Sequence, residues 1–274
     1  MMLIDVHNHT KEFSPDAKMS HEEIISAALE RGISVLGITE HFEYDNPDPM
    51  DIVQVFDMSE YENTFRSWRS TCPKQLKLLM GVEFGYQHHT ADAINGFASA
   101  IPFDVVLLSN HLFGNRDVYF GGDELYKIPK KERFARYINT MAEMCERVDN
   151  FDIATHFDYI NRYNPDVEEY LLYEDCPSAF DRFFEALISK DKCLELNTRS
   201  ALKAEQKGWS KIWPDEAIFR RYLSMGGKLI SLGSDSHTTD TLGVYFEEAF
   251  SYLKALGVKE LCYYESRTPA LYGI

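Results

Sequence analysis

The sequence lacks the features of membrane and secreted proteins. Its apolar runs are short, and none approaches the roughly 18 consecutive apolar residues of a membrane-spanning helix. The N-terminus, Met1-Met2-Leu3-Ile4-Asp5, has neither the basic start nor the apolar core of a signal peptide. The five cysteines lie far apart with no C-x-x-C spacing, which argues against a thiolate zinc motif and fits free thiols in a reducing compartment. We therefore expect a cytoplasmic protein with no membrane partner.

Positive charge is also scarce. The chain has 28 Lys and Arg residues against 44 Asp and Glu residues, which gives a formal net charge of −16. An acidic surface repels the phosphates of nucleic acids, so a nucleic-acid partner and an exonuclease or polymerase-associated role are disfavoured. A small-molecule substrate fits this charge better, and the sequence leaves the oligomeric state open.

No linker, low-complexity block or repeat divides the chain, so residues 1–274 are predicted to form a single domain. A hydrophobic content of 45% is sufficient for a packed core. Short apolar runs, several of them β-branched, are typical of strands that are buried on both faces. The predicted strands are Leu3–Val6, Val35–Ile38, Lys77–Val82, Val105–Leu108, Phe151–Ala154, Cys193–Leu196, Leu229–Leu232 and, more weakly, Leu261–Tyr264.

Helical patterns separate these strands. The best marked helix begins at an S-x-x-E capping box, Ser20 and Glu23, and ends before Gly32. Further helices are predicted near Ser59–Ser70, Lys130–Val148, Ser178–Ser189, Asp215–Ser224 and Tyr245–Leu256. Repeated alternation of strands and helices favours parallel strands joined by helical crossovers.

Residues that bind metals or anions follow each of the first seven predicted strands. They occur in Asp5-Val6-His7-Asn8-His9, Thr39-Glu40-His41, Gly81-Val82-Glu83, Ser109-Asn110-His111, Thr155-His156, Asn197-Thr198-Arg199 and Ser234-Asp235-Ser236-His237. Six of the nine histidines fall in these segments. Side chains at the carboxyl ends of barrel strands converge on one face, whereas an open sheet would spread seven such positions widely. The pattern therefore favours an α/β barrel.

The spacing within these segments suits a shared cation site. His7 and His9 are two residues apart in an extended segment, so their side chains point the same way, and Asp235 and His237 are expected to repeat this arrangement. Imidazole nitrogens and carboxylate oxygens suit Zn, Mn or Fe. A single histidine at a strand end is more often structural, but structural histidines have no reason to follow successive strands.

On these motifs the chain resembles the PHP (polymerase and histidinol phosphatase) superfamily, and within it the histidinol-phosphate phosphatase branch. The resemblance spans nearly the whole chain and rests on Asp5-x-His7-x-His9, Asp16, Thr39-Glu40-His41, Glu83, His111, His156 and Asp235-x-His237, in family order. It implies a distorted seven-stranded (β/α) TIM-like barrel and a cluster of three divalent metal ions. Glu40 departs from the aspartate of many relatives, but the implied ligand is the next residue, His41.

The resemblance also implies a ligand set for each cation. These sets are His7, His9, Glu83 and Asp235 for the first, Glu83, His111 and His156 for the second, and Asp16, His41 and His237 for the third. Glu83 would thus bridge two cations. Asp16 enters only through the resemblance, because its segment Phe13-Ser14-Pro15-Asp16 otherwise indicates an ordinary turn. The identity of the metals stays open among Zn, Mn and Fe.

The implied activity is hydrolysis of L-histidinol phosphate to L-histidinol and phosphate by a metal-bridging hydroxide, as a step of histidine biosynthesis. Glu83, Asp235 and His237 are the expected catalytic residues, with Asp235 or His237 protonating the leaving alcohol. One alternative is a phosphoesterase of the same fold that acts on another small phosphate, such as a nucleotide or sugar phosphate. Another is a non-catalytic metal-bound module that serves as a scaffold, although the complete ligand set disfavours it.

Two arginines are candidates for binding the phosphate of the substrate. Arg199 follows the sixth predicted strand, and Arg162 lies six residues after His156, so both fall on the predicted catalytic face. A guanidinium offers two parallel hydrogen bonds to phosphate oxygens and keeps its charge at any working pH. The alternative is that each arginine forms a surface salt bridge.

Overall fold

The computed structural model describes residues 2–48 and 54–274. Its strands are β1 (Leu3–Asp5), β2 (Ile33–Phe42), β3 (Lys77–Gly85), β4 (Val105–Ser109), β5 (Leu112–Phe113), β6 (Arg116–Asp117), β7 (Ile153–Ala154), β8 (Cys193–Asn197), β9 (Ile230–Gly233), β10 (Glu260–Glu265) and β11 (Thr268–Gly273). Its helices are α1 (His21–Glu30), α2 (Met58–Thr71), α3 (Ala91–Ala100), α4 (Gly122–Tyr126), α5 (Lys130–Arg147), α6 (Tyr159–Arg162), α7 (Pro177–Ser189), α8 (Thr198–Gln206), α9 (Glu216–Ser224) and α10 (Phe246–Ala255).

Seven of the strands form one parallel sheet in the order β1-β2-β3-β4-β7-β8-β9. The two edges of this sheet meet just beyond β1 and β9, where Asn8 and Ser236 form a parallel bridge. The His9 N–H donates a hydrogen bond to the Ser236 carbonyl at 3.0 Å across the same seam. The sheet therefore curls into a nearly closed barrel, which confirms the predicted seven-stranded (β/α) TIM-like fold. The single-domain assignment of residues 1–274 stays a prediction.

The helices cover the outside of the barrel with their apolar faces. Helix α5 buries Phe134, Ile138 and Met141, which recur at the three- and four-residue spacing of one helical face. The predicted capping box of α1 is confirmed, because Ser20 Oγ accepts the Glu23 N–H at 3.2 Å and Glu23 Oε2 accepts the Ser20 N–H at 2.7 Å. Among the helices of residues 2–48 and 54–274, none is long and apolar enough to cross a lipid bilayer.

Two barrel strands extend beyond their predicted carboxyl ends. Strand β2 continues through His41 to Phe42, and β3 continues through Glu83 to Gly85, with nearly every residue buried. Polar residues interrupt an apolar run in the sequence, and for this reason the predicted strands stopped too early. In this barrel those polar residues point into a buried cluster at the strand ends.

One predicted strand lies outside the barrel sheet, and several other elements were not predicted. The weak strand at Leu261–Tyr264 corresponds to β10, which pairs antiparallel with β11 outside the barrel sheet. Helix α3 contains Asn95 and Gly96, which are poor helix formers. Helix α8 begins directly at the end of β8, where the Asn197 side chain accepts the Arg199 N–H at 3.0 Å. Strand and helix meet there with no loop to mark the boundary.

Candidate metal centre

The carboxyl ends of the barrel strands bring all nine predicted metal ligands into one connected cluster. Close contacts between ring nitrogens and carboxylate oxygens link His7, His9, Asp16, His41, Glu83, His111, His156, Asp235 and His237. All but Asp16 are buried. Their convergence at one end of the barrel agrees with the geometry that the strand-end pattern predicts.

The first group of four ligand atoms surrounds one point. His7 Nε2 lies 3.3 Å from Glu83 Oε2 and 3.8 Å from Asp235 Oδ1. His9 Nε2 lies 3.5 Å from Glu83 Oε2 and 3.4 Å from Asp235 Oδ1. Ligand atoms that surround Zn²⁺ tetrahedrally at about 2.0–2.1 Å are about 3.3 Å apart, so these separations leave room for one cation.

The other oxygen of Glu83 faces a second group. Glu83 Oε1 lies 2.8 Å from His156 Nε2 and 3.3 Å from His111 Nε2. The two oxygens of this one carboxylate therefore point at two different sets of histidines. A carboxylate in this position can bridge two cations.

The third group lies at the rim of the cluster. Asp16 Oδ2 is 2.9 Å from His237 Nε2 and 3.6 Å from His41 Nε2, and the two ring nitrogens are 3.3 Å apart. The other ring nitrogen of His41, Nδ1, lies 2.9 Å from Glu83 Oε2, so His41 connects this group to the centre. These separations also fit ligands around one cation.

Several potential ligand atoms in the cluster are buried without a hydrogen-bond partner among the described residues. They include His7 Nε2, both ring nitrogens of His9, His41 Nδ1 and Glu83 Oε2. Buried polar atoms in proteins are nearly always hydrogen-bonded, and unpartnered ones that converge on shared points indicate a site that can bind cations. The donor set of imidazole nitrogens and carboxylate oxygens thus fits divalent metals.

The protonation of Glu83, Asp235 and His9 matches this requirement, whereas nearby carboxylates raise the pKa of His7, His41 and His111 above the usual value despite their burial. Burial tends to raise the pKa of the Glu83 carboxyl, but charges led by His7 hold this pKa well below its usual range. The Asp235 carboxyl is likewise buried, and Arg162 holds its pKa well below the usual range. Burial and repulsion from neighbouring histidines lower the pKa of His9 well below its usual value. Two ionised carboxylates and a neutral imidazole are the forms in which these side chains bind metals.

One part of the predicted geometry is wrong. Asp235 has a φ of 51°, in the left-handed region, so Asp235 and His237 do not lie in an extended segment like His7 and His9. The turn at Asp235 sends its Oδ1 atom toward His9 and its Oδ2 atom toward Arg162. A left-handed aspartate costs some backbone strain, and such residues are frequent at functional sites.

The loop that carries Asp16 is held by a residue with no assigned role in the sequence pattern. The buried carboxylate of Glu40 accepts the Thr10 N–H at 3.1 Å and the Ser14 hydroxyl at 2.5 Å. Burial raises the pKa of this carboxyl to about 7. Glu40 thus fixes the start of the Asp16 loop against β2.

Two further carboxylates of the cluster were missed. Glu195 Oε1 lies 2.7 Å from His7 Nδ1, and Glu43 Oε1 lies 2.7 Å from His111 Nδ1. The two-residue spacing could have identified them, because alternate residues of an extended segment point to the same face. Glu43 is two residues after His41, and Glu195 is two residues before Asn197 at the end of β8.

The two candidate phosphate-binding arginines lie beside the cluster, and both contact Asp235. Arg162 is buried, with Nη1 2.7 Å from Asp235 Oδ2 and Nε donating to Ser200 Oγ at 2.9 Å. Arg199 is half-buried and donates through Nη1 to the Asp235 carbonyl at 2.9 Å. Arg162 is therefore committed to an ion pair inside the protein, which was not predicted, and Arg199 is the more accessible of the two.

An open cleft of about 340 Å³ gives access to the cluster. Arg162, Arg199 and Lys203, one turn after Arg199 on α8, supply positive charge to its lining. The cleft is also lined by four aromatic residues, Tyr119, Phe120, Tyr159 and Tyr163. Cations, metal ligands and aromatic rings around one cleft suit a small phosphate ester with an aromatic or apolar body.

Comparisons with known proteins point the same way. Residues 5–199 match the model of the PHP domain family. The chain is 31% identical to the probable histidinol-phosphatase of Clostridium acetobutylicum, over 97% of this chain and 98% of that protein. It is 28% identical to the histidinol-phosphatase of Lactococcus lactis, over 95% and 94%. The crystal structure of histidinol phosphate phosphatase from Lactococcus lactis, complexed with zinc, L-histidinol and phosphate, superimposes with a TM-score of 0.85 at 25% identity, covering 98% of each chain.

Proposed function

This chain belongs to the PHP domain family, in its histidinol-phosphatase branch, and from that premise we propose that it hydrolyses L-histidinol phosphate to L-histidinol and inorganic phosphate. The observation that carries this proposal is the set of buried, unpartnered ligand atoms around Glu83 beside a cleft lined with arginines. A similar protein binds zinc, L-histidinol and phosphate, which supports the same substrate and metal class here.

We propose that three divalent cations bind the cluster. His7, His9, Glu83 and Asp235 would hold the first, Glu83, His111 and His156 the second, and Asp16, His41 and His237 the third. The short separations within each group support this assignment. When bound, divalent cations supply Lewis acidity, an activated water and compensation for the charge of the phosphate.

The side chains of this chain orient the phosphate on the side away from the metal ligands. Arg199 lines the cleft and is only partly buried, so the guanidinium nitrogens other than Nη1 are available to phosphate oxygens. Lys203 adds a second positive charge to the same wall. Arg162 keeps Asp235 ionised and in place and, in this proposal, contributes its unpartnered Nη2 atom to the same anion.

We propose that Asp235 or His237 protonates the leaving alcohol. Both residues line the open cleft that gives access to the cluster.

Phosphate release from L-histidinol phosphate and from a panel of sugar phosphates and nucleoside monophosphates tests the proposed activity. We expect kcat/KM to be at least about tenfold higher for L-histidinol phosphate, because a site built around a polar substrate discriminates strongly against analogues. Chelation of the metals should abolish release in every case. A higher kcat/KM for another phosphate would reassign the substrate, and metal-loaded protein that hydrolyses none of them would support the scaffold alternative.

Replacing Arg199 by alanine is expected to lower kcat/KM by roughly 10–100-fold, which corresponds to the ~1.5–3 kcal/mol of a hydrogen bond to a charged group. Metal content should stay unchanged, because Arg199 is not a proposed ligand. Arg199→Lys should recover only part of the activity, since an ammonium cannot make two parallel hydrogen bonds. Arg220→Ala, which removes an exposed arginine paired with Glu216, is the matched control. Unchanged kinetics of Arg199→Ala would assign the residue to the surface.

A further inference from the structure

Two buried glutamates each contact one histidine of the cluster on the ring nitrogen that faces away from Glu83. Glu195 Oε1 lies 2.7 Å from His7 Nδ1, while His7 Nε2 faces Glu83 Oε2 at 3.3 Å. Glu43 Oε1 lies 2.7 Å from His111 Nδ1, while His111 Nε2 faces Glu83 Oε1 at 3.3 Å. The two contacts are thus equivalent, and the two histidines face different oxygens of the Glu83 carboxylate.

The barrel leaves space for each of these carboxylates by ending the neighbouring strand in glycine. A Cβ atom on Gly233 at the end of β9 would lie 2.6 Å from Glu195 Oε1 and 2.6 Å from the Cβ of His7. A Cβ atom on Gly85 at the end of β3 would overlap the Glu43 carboxylate. Neither glycine has a positive φ, so space and not backbone conformation explains its presence.

Glu195 is held rigidly by further hydrogen bonds. Its second oxygen, Oε2, accepts the His156 N–H and the Asn197 side-chain N–H, both at 2.9 Å. The Glu43 backbone N–H donates to the Gln54 carbonyl at 2.7 Å, which anchors the main chain of this residue. Each carboxylate can accept a hydrogen bond from a proton-bearing Nδ1 atom.

We propose that Glu195 and Glu43 are positioning residues that each control a different cation, Glu195 through His7 and Glu43 through His111. A carboxylate that accepts the Nδ1–H fixes the tautomer, so the lone pair of Nε2 points toward Glu83, and it also fixes the plane of the ring. This inference rests on the metal ligands proposed above. It adds that two of the three cations are tuned through different histidines, by Glu195 within the barrel and by Glu43 at the wall of the cleft.

The test compares Glu195→Gln and Glu43→Gln with a matched control. The control is Glu143→Gln, because Glu143 makes the same kind of contact with Nδ1 of an exposed histidine, His88, at 2.5 Å. Metal content is measured after dialysis against increasing chelator concentrations. Each cluster variant should lose one cation with an affinity lowered about 10–100-fold, the usual effect of removing such a partner, while the control keeps wild-type affinity for all its metals.

A double-mutant cycle identifies which cation each glutamate controls. In a protein that already carries His7→Ala, Glu195→Gln should cause little additional loss of metal affinity. In a protein that carries His111→Ala, it should lower metal affinity as much as it does in the wild type. Gly85→Ala provides a second route for the other pair, because it displaces the Glu43 carboxylate without changing its chemistry. If Glu43→Gln folds poorly, Gly85→Ala still tests the contact, and we expect it to lose the same cation.

The outcomes separate this inference from the proposed function. Wild-type affinities in both glutamine variants and in Gly85→Ala would overturn the positioning role while leaving the metal ligands intact. Additive effects of Glu195→Gln with His7→Ala would overturn the pairing. A wild-type protein that binds no divalent metal would instead overturn the ligand assignment itself.

Discussion

Replacing Glu83 by alanine is expected to lower kcat by at least about 10³, a loss of ~4 kcal/mol of transition-state stabilisation. Glu83 faces the first and the second group of ligands with its two separate oxygens. Glu83 Oε2 lies 3.3 Å from His7 Nε2, and Oε1 lies 2.8 Å from His156 Nε2. Removing this carboxylate should weaken two cations at once and release the constraint on their separation.

Metal analysis and kinetics on the same preparations measure this effect. Glu83→Ala should retain fewer cations per chain than Asp16→Ala, because Asp16 lies at the half-exposed rim and belongs to one ligand group only. Glu83→Gln keeps the shape of the side chain but loses its charge and one acceptor oxygen. Its metal content and kcat should therefore fall nearly as far as those of Glu83→Ala. If Glu83→Ala keeps both wild-type metal content and turnover, Glu83 does not bridge.

The strand-end pattern was enough to find most of this site because of a property of barrels. Parallel strands deliver their carboxyl ends to one face, so residues that follow successive strands in the sequence meet in space. His41 and His111, which are 70 positions apart in the chain, contact the same Glu83 for this reason. The fold class followed from the same alternation, although β2 and β3 were predicted too short, β1 and β7 too long, and α3, α8 and β11 were not predicted.

The strand-end pattern did not identify several features of the site, each for a different physical reason. Asp16 lies in a loop, where no periodicity restricts the direction of a side chain, and only the family resemblance identified it. Glu43 directly follows the end of β2, which was predicted too short, and Glu195 lies inside β8, which was taken as purely apolar, so their position beside the ligands was overlooked. The left-handed turn at Asp235 depends on contacts across the barrel, which a local pattern does not contain.

The ion pair between Arg162 and Asp235 is a contact between distant parts of the chain, and from it we predict a large effect on stability. Replacing Arg162 by methionine should lower the free energy of unfolding of the metal-free protein by about 3–5 kcal/mol. Both side chains are almost fully buried, at 2% and 4% exposure, so solvent does not screen the carboxylate that is left behind. Chemical denaturation of the chelated protein measures the loss. The control, Arg220→Met, removes an exposed pair with Glu216 and should cost less than about 1 kcal/mol.

A second substitution distinguishes an unpaired charge from simple loss of packing. Asp235→Asn removes the charge, and asparagine tolerates the left-handed φ of this position. If the stranded carboxylate causes the loss, the double variant Arg162→Met with Asp235→Asn should be more stable than Arg162→Met alone, because no buried ion remains. If lost packing of the Arg162 side chain lowers the stability, adding Asp235→Asn should lower the free energy of unfolding further. The first result would mean that Arg162 maintains the ionised form of Asp235, with binding of phosphate as an additional role.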